Sequence, residues 1–165
     1  MSFSLKYLLS TFIRKPFTEA EQFRLVGTNV IHLGGIKNPS EMVQLAAVRK
    51  DGWAIRYISD PSEAVQLAVV HEIASSLEYI ENPSEAVQLA AVCHLGWTIK
   101  FIDDPSEAVQ LAAVQRLTES IEYIEHPTVN VQMTAVHRDL DVFKKIKNPA
   151  EEVRVYVNLL KLGET

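Results

Sequence analysis

The chain has 165 residues, of which 47% are hydrophobic and 22% are charged, and this balance excludes a disordered polypeptide. A net charge of −5 excludes the general basic field that nucleic acid or an anionic membrane surface would require, so neither partner is expected. The single cysteine, Cys93, excludes a disulfide within the chain and is compatible with a reducing compartment.

The N-terminal segment is apolar but broken, and Arg14 and Lys15 follow it without the small-residue cleavage site of a secretory signal. No apolar run approaches the roughly 20 residues of a membrane-spanning helix, so we expect a cytoplasmic protein. Residues 1–16 are predicted to form a capping helix over the open face of the first repeat. Its apolar side chains are Phe3, Leu5, Leu8, Leu9, Phe12 and Ile13.

A 22-residue repeat follows, and a proline marks the start of each unit. The segment PSEAVQLAAV occurs at 83–92 and again at 105–114, and close variants occur at 39–48 and 61–70. We predict that every unit opens with a helix. In this interpretation the Asn or Asp before most prolines is the N-cap, the proline is the first helical residue, and the glutamate closes a capping box. The prolines are Pro39, Pro61, Pro83, Pro105, Pro127 and Pro149.

The second half of each unit predicts a shorter helix that folds back on the first. In the unit 83–104, Gly96 is followed by apolar residues at Trp97, Ile99, Phe101 and Ile102. One such hairpin buries too little surface to fold alone, so the units must stack. We therefore predict an all-α fold, an α-solenoid of helix–turn–short-helix repeats. Six repeats would occupy 17–148, with 17–38 degenerate, and a half-repeat at 149–165 would cap the C-terminal end.

Two other repeat architectures fit the period less well. A leucine-rich repeat also has about 22 residues, but its L-x-x-L-x-L strand signature is absent. A HEAT-like arrangement would treat each unit as one long helix and pair two units in a 44-residue hairpin. Gly52 and Gly96 would interrupt two of those helices, and identical sequences would then lie in different environments.

Two columns of polar residues recur at fixed positions of the repeat. One alternates in sign, and stacking at about 8–10 Å would make it a ladder of opposite charges between repeats. Its members are Arg56, Glu78, Lys100, Glu122 and Lys144. The other is constant, and it is interpreted as a hydrogen-bonded ladder, a contact row or a trace of recent duplication. Its members are Gln22, Gln44, Gln66, Gln88, Gln110 and Gln132.

The middle of each unit varies most, and stacking would gather this variation on one edge of the solenoid. In repeat proteins the constant positions hold the stack and the variable positions contact partners. Alternatively, the edge is solvated and tolerant, and the tryptophans pack the helical turn. The candidate contact residues are Arg49, Lys50, Trp53, His71, His94, Trp97, Arg116, His137 and Arg138.

Catalytic chemistry is not expected from this sequence. Cys93, His94, His71 and His137 suggest a metal site, but zinc needs ligands within about 2.0–2.3 Å and equivalent positions in adjacent repeats would lie about 10 Å apart. A Cys-His nucleophile has no oxyanion hole here, and the glycines form no phosphate loop. We therefore expect no catalytic residue, no metal and no cofactor.

The segment PSEAVQLAAV followed by GWAIRYI or GWTIKFI resembles an uncharacterised family of short tandem helical repeats. Copies in that family carry an EVVLAAV segment followed by an NG-A-L-Y pattern, and they occur in bacterial, bacteriophage and giant-virus proteins. The resemblance covers about residues 17–160 and rests on framework positions, so it implies the fold and not the target. A distant resemblance to the leucine-rich repeat variant implies another helical solenoid. The cysteine cluster that holds iron and sulfur there is missing here, so no such cluster is expected.

Two classes of function follow from this pattern. The first is a non-enzymatic module that binds a protein partner, as an adaptor or scaffold. A stoichiometric inhibitor of a host protein, encoded by a phage or virus, is a sharper form of the same class. The alternative is a helical-repeat protein that binds a small ligand or catalyses a reaction in the solenoid groove. It is disfavoured because the sequence lacks convergent polar groups.

Overall fold

A computed structural model of the chain describes residues 16–163, which contain helices and no strand. Each unit contains an α-helix followed by a 3-10 helix of 6 residues. The α-helices are α1 (Glu19–Thr28), α2 (Glu41–Lys50), α3 (Glu63–Glu72), α4 (Glu85–His94), α5 (Glu107–Arg116), α6 (Val129–Arg138) and α7 (Glu151–Gly163). The 3-10 helices are η1 (Val30–Gly35), η2 (Gly52–Tyr57), η3 (Ala74–Tyr79), η4 (Gly96–Phe101), η5 (Thr118–Tyr123) and η6 (Leu140–Lys145).

The helices form two layers with the core between them. Successive α-helices pack side by side, successive 3-10 helices do the same, and each 3-10 helix from η1 to η5 packs on the α-helices of its own and the next repeat. In the repeat of α4, Val87, Ala91 and Val92 are fully buried and Ile99 of η4 is 1% exposed. Small alanines at the helix interface let the α-helices approach closely. The predicted all-α solenoid of helix–turn–short-helix repeats is confirmed.

The predicted N-caps are wrong by two residues. Helices α2 to α5 begin at the glutamate, and their N-cap is the serine after the proline; α6 begins at Val129 after the N-cap Thr128. For example, the Val43 N–H donates to Ser40 Oγ over 3.4 Å. The residue before the proline instead closes the preceding turn, because Asn38, Asn82 and Asp104 adopt left-handed φ values of 50–53°, a conformation that Asn and Asp tolerate.

The predicted capping box therefore fails in most repeats, because the glutamate occupies the first helical position rather than the third. Among the described helices it is present at α1, where the Thr18 N–H donates to Glu21 Oε2 over 2.8 Å. That hydrogen bond to the Thr18 backbone holds the pKa of Glu21 below its ordinary value. The glutamate at the first helical position instead accepts a hydrogen bond from the next repeat: Ser40 Oγ donates to Glu19 Oε1 over 2.5 Å, and Ser84 and Ser106 donate in the same way to Glu63 and Glu85.

The predicted short helix is a 3-10 helix, and two features of the sequence favour it. An Asn or Asp precedes three of these helices and caps them, as where the Trp53 N–H donates to Asp51 Oδ1 over 3.0 Å. An isoleucine ends each of them, as where the Ile58 N–H donates to the Ile55 carbonyl over 3.0 Å. Gly96 is the first residue of η4, and its backbone lies close to α5 of the next repeat, since a Cβ there would lie 2.7 Å from the Ala113 carbonyl oxygen.

The constant glutamines have a structural role. In each repeat from α1 to α6 the side-chain Nε2 donates to the backbone carbonyl five residues earlier, over 2.9–3.0 Å. In two repeats the Oε1 also accepts from the next repeat: the Thr128 N–H donates to Gln110 over 3.3 Å, and the Ala150 N–H donates to Gln132 over 2.9 Å. The glutamine column therefore joins each α-helix to its own entry turn and, in these two cases, to the neighbouring repeat.

The predicted charge ladder is not formed. Within residues 16–163, none of the ion pairs joins two members of the alternating column. Glu122 pairs with Lys145 over 3.4 Å rather than with Lys144, which lies 3.0 Å from Asp141. Arg56 and Lys100 lie over aromatic rings instead. Long side chains on an exposed edge choose between several partners at little energetic difference, so the column alone did not determine the pairing.

Of the two predicted terminal caps, only the C-terminal one lies within the described residues. The predicted capping helix at 1–16 lies outside the described residues, apart from Pro16. The C-terminal half-repeat contains α7, in which Val153 and Val157 are buried against the stack while Val155 and Leu159 are 47% and 64% exposed. No helix in the described part of the chain is both long enough and apolar enough to cross a membrane.

Candidate functional site

The predicted contact stripe divides into two groups in the structure. The charged residues and histidines lie at the C-terminal ends of the α-helices, whereas Trp53 and Trp97 lie on the 3-10 helices η2 and η4. All members of the first group are exposed, and we call them the basic row. It consists of Arg49, Lys50, His71, His94, Arg116, His137 and Arg138.

Several cations of the basic row bind the preceding repeat. Lys50 Nζ donates to the Val26 carbonyl of α1 over 3.3 Å, and also to the Gly27 carbonyl. Arg116 Nε donates to the Cys93 carbonyl of α4 over 3.0 Å. The last carbonyls of an α-helix lack partners within that helix and carry partial negative charge. These two cations therefore cap the C-terminal end of the neighbouring helix.

The other members of the basic row make contacts with side chains. Arg138 Nε donates to Thr118 Oγ1 over 3.3 Å, and the rings of His71 and His94 meet edge to face with centroids 5.5 Å apart. His137 packs edge to face on Tyr156, with centroids 4.7 Å apart. Among residues 16–163, no three His, Cys, Asp or Glu side chains come together in a way that could hold a metal ion.

The two tryptophans belong to an aromatic surface on the layer of 3-10 helices. Trp53 meets Tyr79 of the next repeat edge to face at 5.9 Å between ring centroids, and Trp97 meets Phe101 in the same way at 5.9 Å. Trp53 is 41% exposed. One aromatic residue ends each of four successive 3-10 helices, and we call these residues the aromatic row. They are Tyr57, Tyr79, Phe101 and Tyr123.

Sequence reasoning missed the aromatic row. Its three tyrosines are 36–43% exposed, and each precedes a buried isoleucine of the constant column. An aromatic residue beside a constant isoleucine suggested core packing, and only the 3-10 geometry turns it outward. The available signal was the recurrence of Tyr or Phe at the same position of four repeats.

Cations of the chain already lie on part of this surface. The Arg56 guanidinium lies over the Tyr79 ring at 5.0 Å, and Lys100 Nζ lies 4.6 Å and 4.8 Å from the centroids of Trp97 and Phe101. Ring faces attract cations through their quadrupole. Within the described residues, no cation lies over Tyr57 or Tyr123. A hydrogen bond to Glu122, together with its negative charge, raises the pKa of Tyr123 above its ordinary value.

Open depressions lie beside the aromatic row, between the turns of successive repeats. One of about 500 Å³ is lined by Phe101 together with Glu81 and Asp103. Another of about 650 Å³ is lined by Tyr57, Tyr79, Glu81 and Arg56. Their walls combine aromatic rings with carboxylates and, in the second depression, one cation. The surface can therefore accept a chain segment that lies across several repeats.

No family model, curated protein or solved structure matches this chain. The resemblance to an uncharacterised repeat family therefore stays a prediction.

Proposed function

We propose that the chain is a non-enzymatic repeat module that binds a protein partner, and that the aromatic row is the centre of its contact surface. The observation that carries the proposal is the exposure of aromatic side chains at the same position of successive repeats. Tyrosine and tryptophan are enriched at the residues that dominate binding energy, because they bury a large area at little cost in side-chain entropy.

The aromatic row is preferred to the basic row as the contact surface because cations of the basic row already make contacts within the chain. Lys50 and Arg116 are engaged with carbonyls of the preceding helix, so their recurrence has a structural reason. Arg49 has no such bond in the described residues and serves as a matched exposed position outside the aromatic row. Adaptor, scaffold and stoichiometric inhibitor, including one encoded by a phage or virus, are forms of the same binding activity and differ only in the partner.

The test is capture from a bacterial lysate on the immobilised chain, with mass spectrometry of what is retained. We expect a protein at near-equal molar ratio on the unmodified chain, its loss on the double variant Tyr57→Ser/Tyr123→Ser, and its retention on Arg49→Ser. Circular dichroism checks that the variants keep their helices. The proposal fails if the double variant captures the same protein equally well, or if only a small molecule is retained.

A further inference from the structure

The turns beside the aromatic row carry a concentrated negative charge. Three successive entry turns, which we call the turn edge, are residues 58–63, 80–85 and 102–107. These segments read ISDPSE, IENPSE and IDDPSE, so they contain carboxylates and no Lys, Arg or His. All of the carboxylate residues are exposed: Asp60, Glu63, Glu81, Glu85, Asp103, Asp104 and Glu107.

This charge is not neutralised within the described residues. None of the ion pairs there includes a carboxylate of the turn edge. Glu63 and Glu85 have a structural role, since each accepts a hydrogen bond from the serine N-cap of the next repeat, and a negative charge at the first helical position complements the helix dipole. Asp60, Glu81 and Asp103 lie in the turns before the helices and have no such role.

The flanking turns have a different charge. Lys37 lies in the turn before α2, and the carboxylate of the turn before α6, Glu125, pairs with Lys147 of the turn before α7 over 2.6 Å. That ion pair holds the pKa of Glu125 below its ordinary value. The negative field is therefore confined to the three central turns, where the depressions and the aromatic row also lie.

Resting on the proposed function, we infer that the partner segment at this surface is an extended, arginine- or lysine-rich stretch of protein. Its cations face Asp60, Glu81 and Asp103, and its aliphatic stems and guanidinium planes pack on exposed rings such as Tyr57. The chain's own Arg56 and Lys100 already lie over the rings of Tyr79 and Phe101, so rings of this surface can bind a cation on their faces. Nucleic acid is repelled by the same field.

The spacing of the repeats sets the spacing of the cations. Adjacent helices pack at about 8–10 Å, and a chain in the polyproline II conformation advances about 3.1 Å per residue with three residues per turn, so about three residues of the partner cross each repeat and every third side chain faces the same way. A segment with arginine at every third position therefore places one cation at each successive turn. The same arginines grouped together would reach fewer turns, because about five consecutive residues extend over little more than one repeat spacing.

The test uses fluorescence anisotropy with the full chain and labelled peptides of about 15 residues, a length that crosses the three central turns and their flanks at about three residues per repeat. One peptide has arginine at every third position, with glycine and serine between. The second has the same composition with the arginines grouped, and the third has glutamate for arginine. We expect the spaced arginine peptide to bind most tightly, with affinity that falls as salt is added. Equal or tighter binding of the glutamate peptide would overturn the inference.

A pair of matched variants locates the binding on the chain. Glu81→Gln/Asp103→Asn removes two charges from the turn edge, and we expect it to weaken binding about three- to tenfold, as for two exposed charge pairs. Glu72→Gln/Glu152→Gln removes two exposed carboxylates elsewhere and should leave binding unchanged. Equal effects of the two double variants would also overturn the inference.

The lysate capture separates this inference from the proposed function. If the captured protein is lost on Tyr57→Ser/Tyr123→Ser but retained on Glu81→Gln/Asp103→Asn, the aromatic surface binds a partner that is not cationic, and only the inference is wrong. If both double variants retain it, the proposed function is wrong as well.

Discussion

Replacing Gln132 by methionine tests whether the glutamine column carries stability between repeats. Gln132 is 4% exposed, its Nε2 donates to the Pro127 carbonyl over 2.9 Å, and its Oε1 accepts from the Ala150 N–H over 2.9 Å. Methionine has a similar volume and fills the same space. The change therefore leaves two backbone groups without their partner, one of them in the next repeat.

The structure provides a matched control in Gln44. Its Nε2 donates to the Pro39 carbonyl over 3.0 Å, but its Oε1 is buried without a hydrogen-bond partner. Gln44→Met therefore loses one hydrogen bond and also removes a buried oxygen that has no partner. A buried group left unpaired costs about 1–3 kcal/mol. We expect Gln132→Met to lower the free energy of unfolding by about 2–4 kcal/mol and Gln44→Met by about 0–1 kcal/mol.

Gln110 should lie between these two. It is 6% exposed and its inter-repeat bond, from the Thr128 N–H, is longer at 3.3 Å. Urea unfolding followed by circular dichroism measures all three variants against the unmodified chain. Equal losses for Gln132→Met and Gln44→Met would refute the reasoning, because the cost would then come from the helix entry turn alone and not from the bond to the next repeat.

Two further predictions concern close packing and charge. Gly96→Ala should destabilise the chain by about 1–3 kcal/mol, because the new Cβ would lie 2.7 Å from the Ala113 carbonyl oxygen, whereas Gly27→Ala, with nothing within 4 Å, should stabilise it by about 0.5–1 kcal/mol. Thermal melting measures both, and a neutral Gly96→Ala would contradict the close approach. Lys147→Met should raise the pKa of Glu125 towards its ordinary value and leave that of Glu21, which is lowered chiefly by Thr18, unchanged. NMR titration of the side-chain carboxyls measures both values, and an unchanged Glu125 would show that the ion pair is not formed in solution. The linked effect on stability has a defined sign: the contribution of Glu125 is present above its unfolded pKa and is lost as the pH falls through the lowered folded value.

The period of the sequence was sufficient to predict the solenoid, because a repeated apolar pattern can be buried only by stacking its copies. The period was not sufficient to predict the residue at which each helix begins. Proline is compatible with the first helical residue and also with a position before the N-cap, and both Asn and Ser are good N-caps. The structure places the serine or threonine after the proline at the N-cap, both where the residue before the proline has a left-handed φ, as at Asn38, Asn82 and Asp104, and where it does not, as at Asp60.

The candidate site was predicted less well than the fold, for a related reason. Variability among repeats identified the exposed C-terminal ends of the α-helices, but it could not distinguish a cation that binds a partner from one, such as Lys50 or Arg116, that caps the neighbouring helix. The aromatic row was missed because Tyr57 and its equivalents vary little, and low variability was taken as a sign of the core.

The near-identical sequence of the opening segment in successive repeats can be explained by bonds within the chain. Ser84 donates to Glu63, and Gln132 accepts from Ala150, so in several repeats the recurring serine, glutamate and glutamine make bonds to neighbouring copies. Where such a bond is made, a change in one repeat also removes a contact of the next. The side chains of Glu81 and Asp103 make no such bond among the described residues, and their exposure keeps them outside the core. The residues proposed to bind a partner are therefore different from the residues of the same turn that stabilise the stack, so the proposed surface can be altered without unfolding the stack.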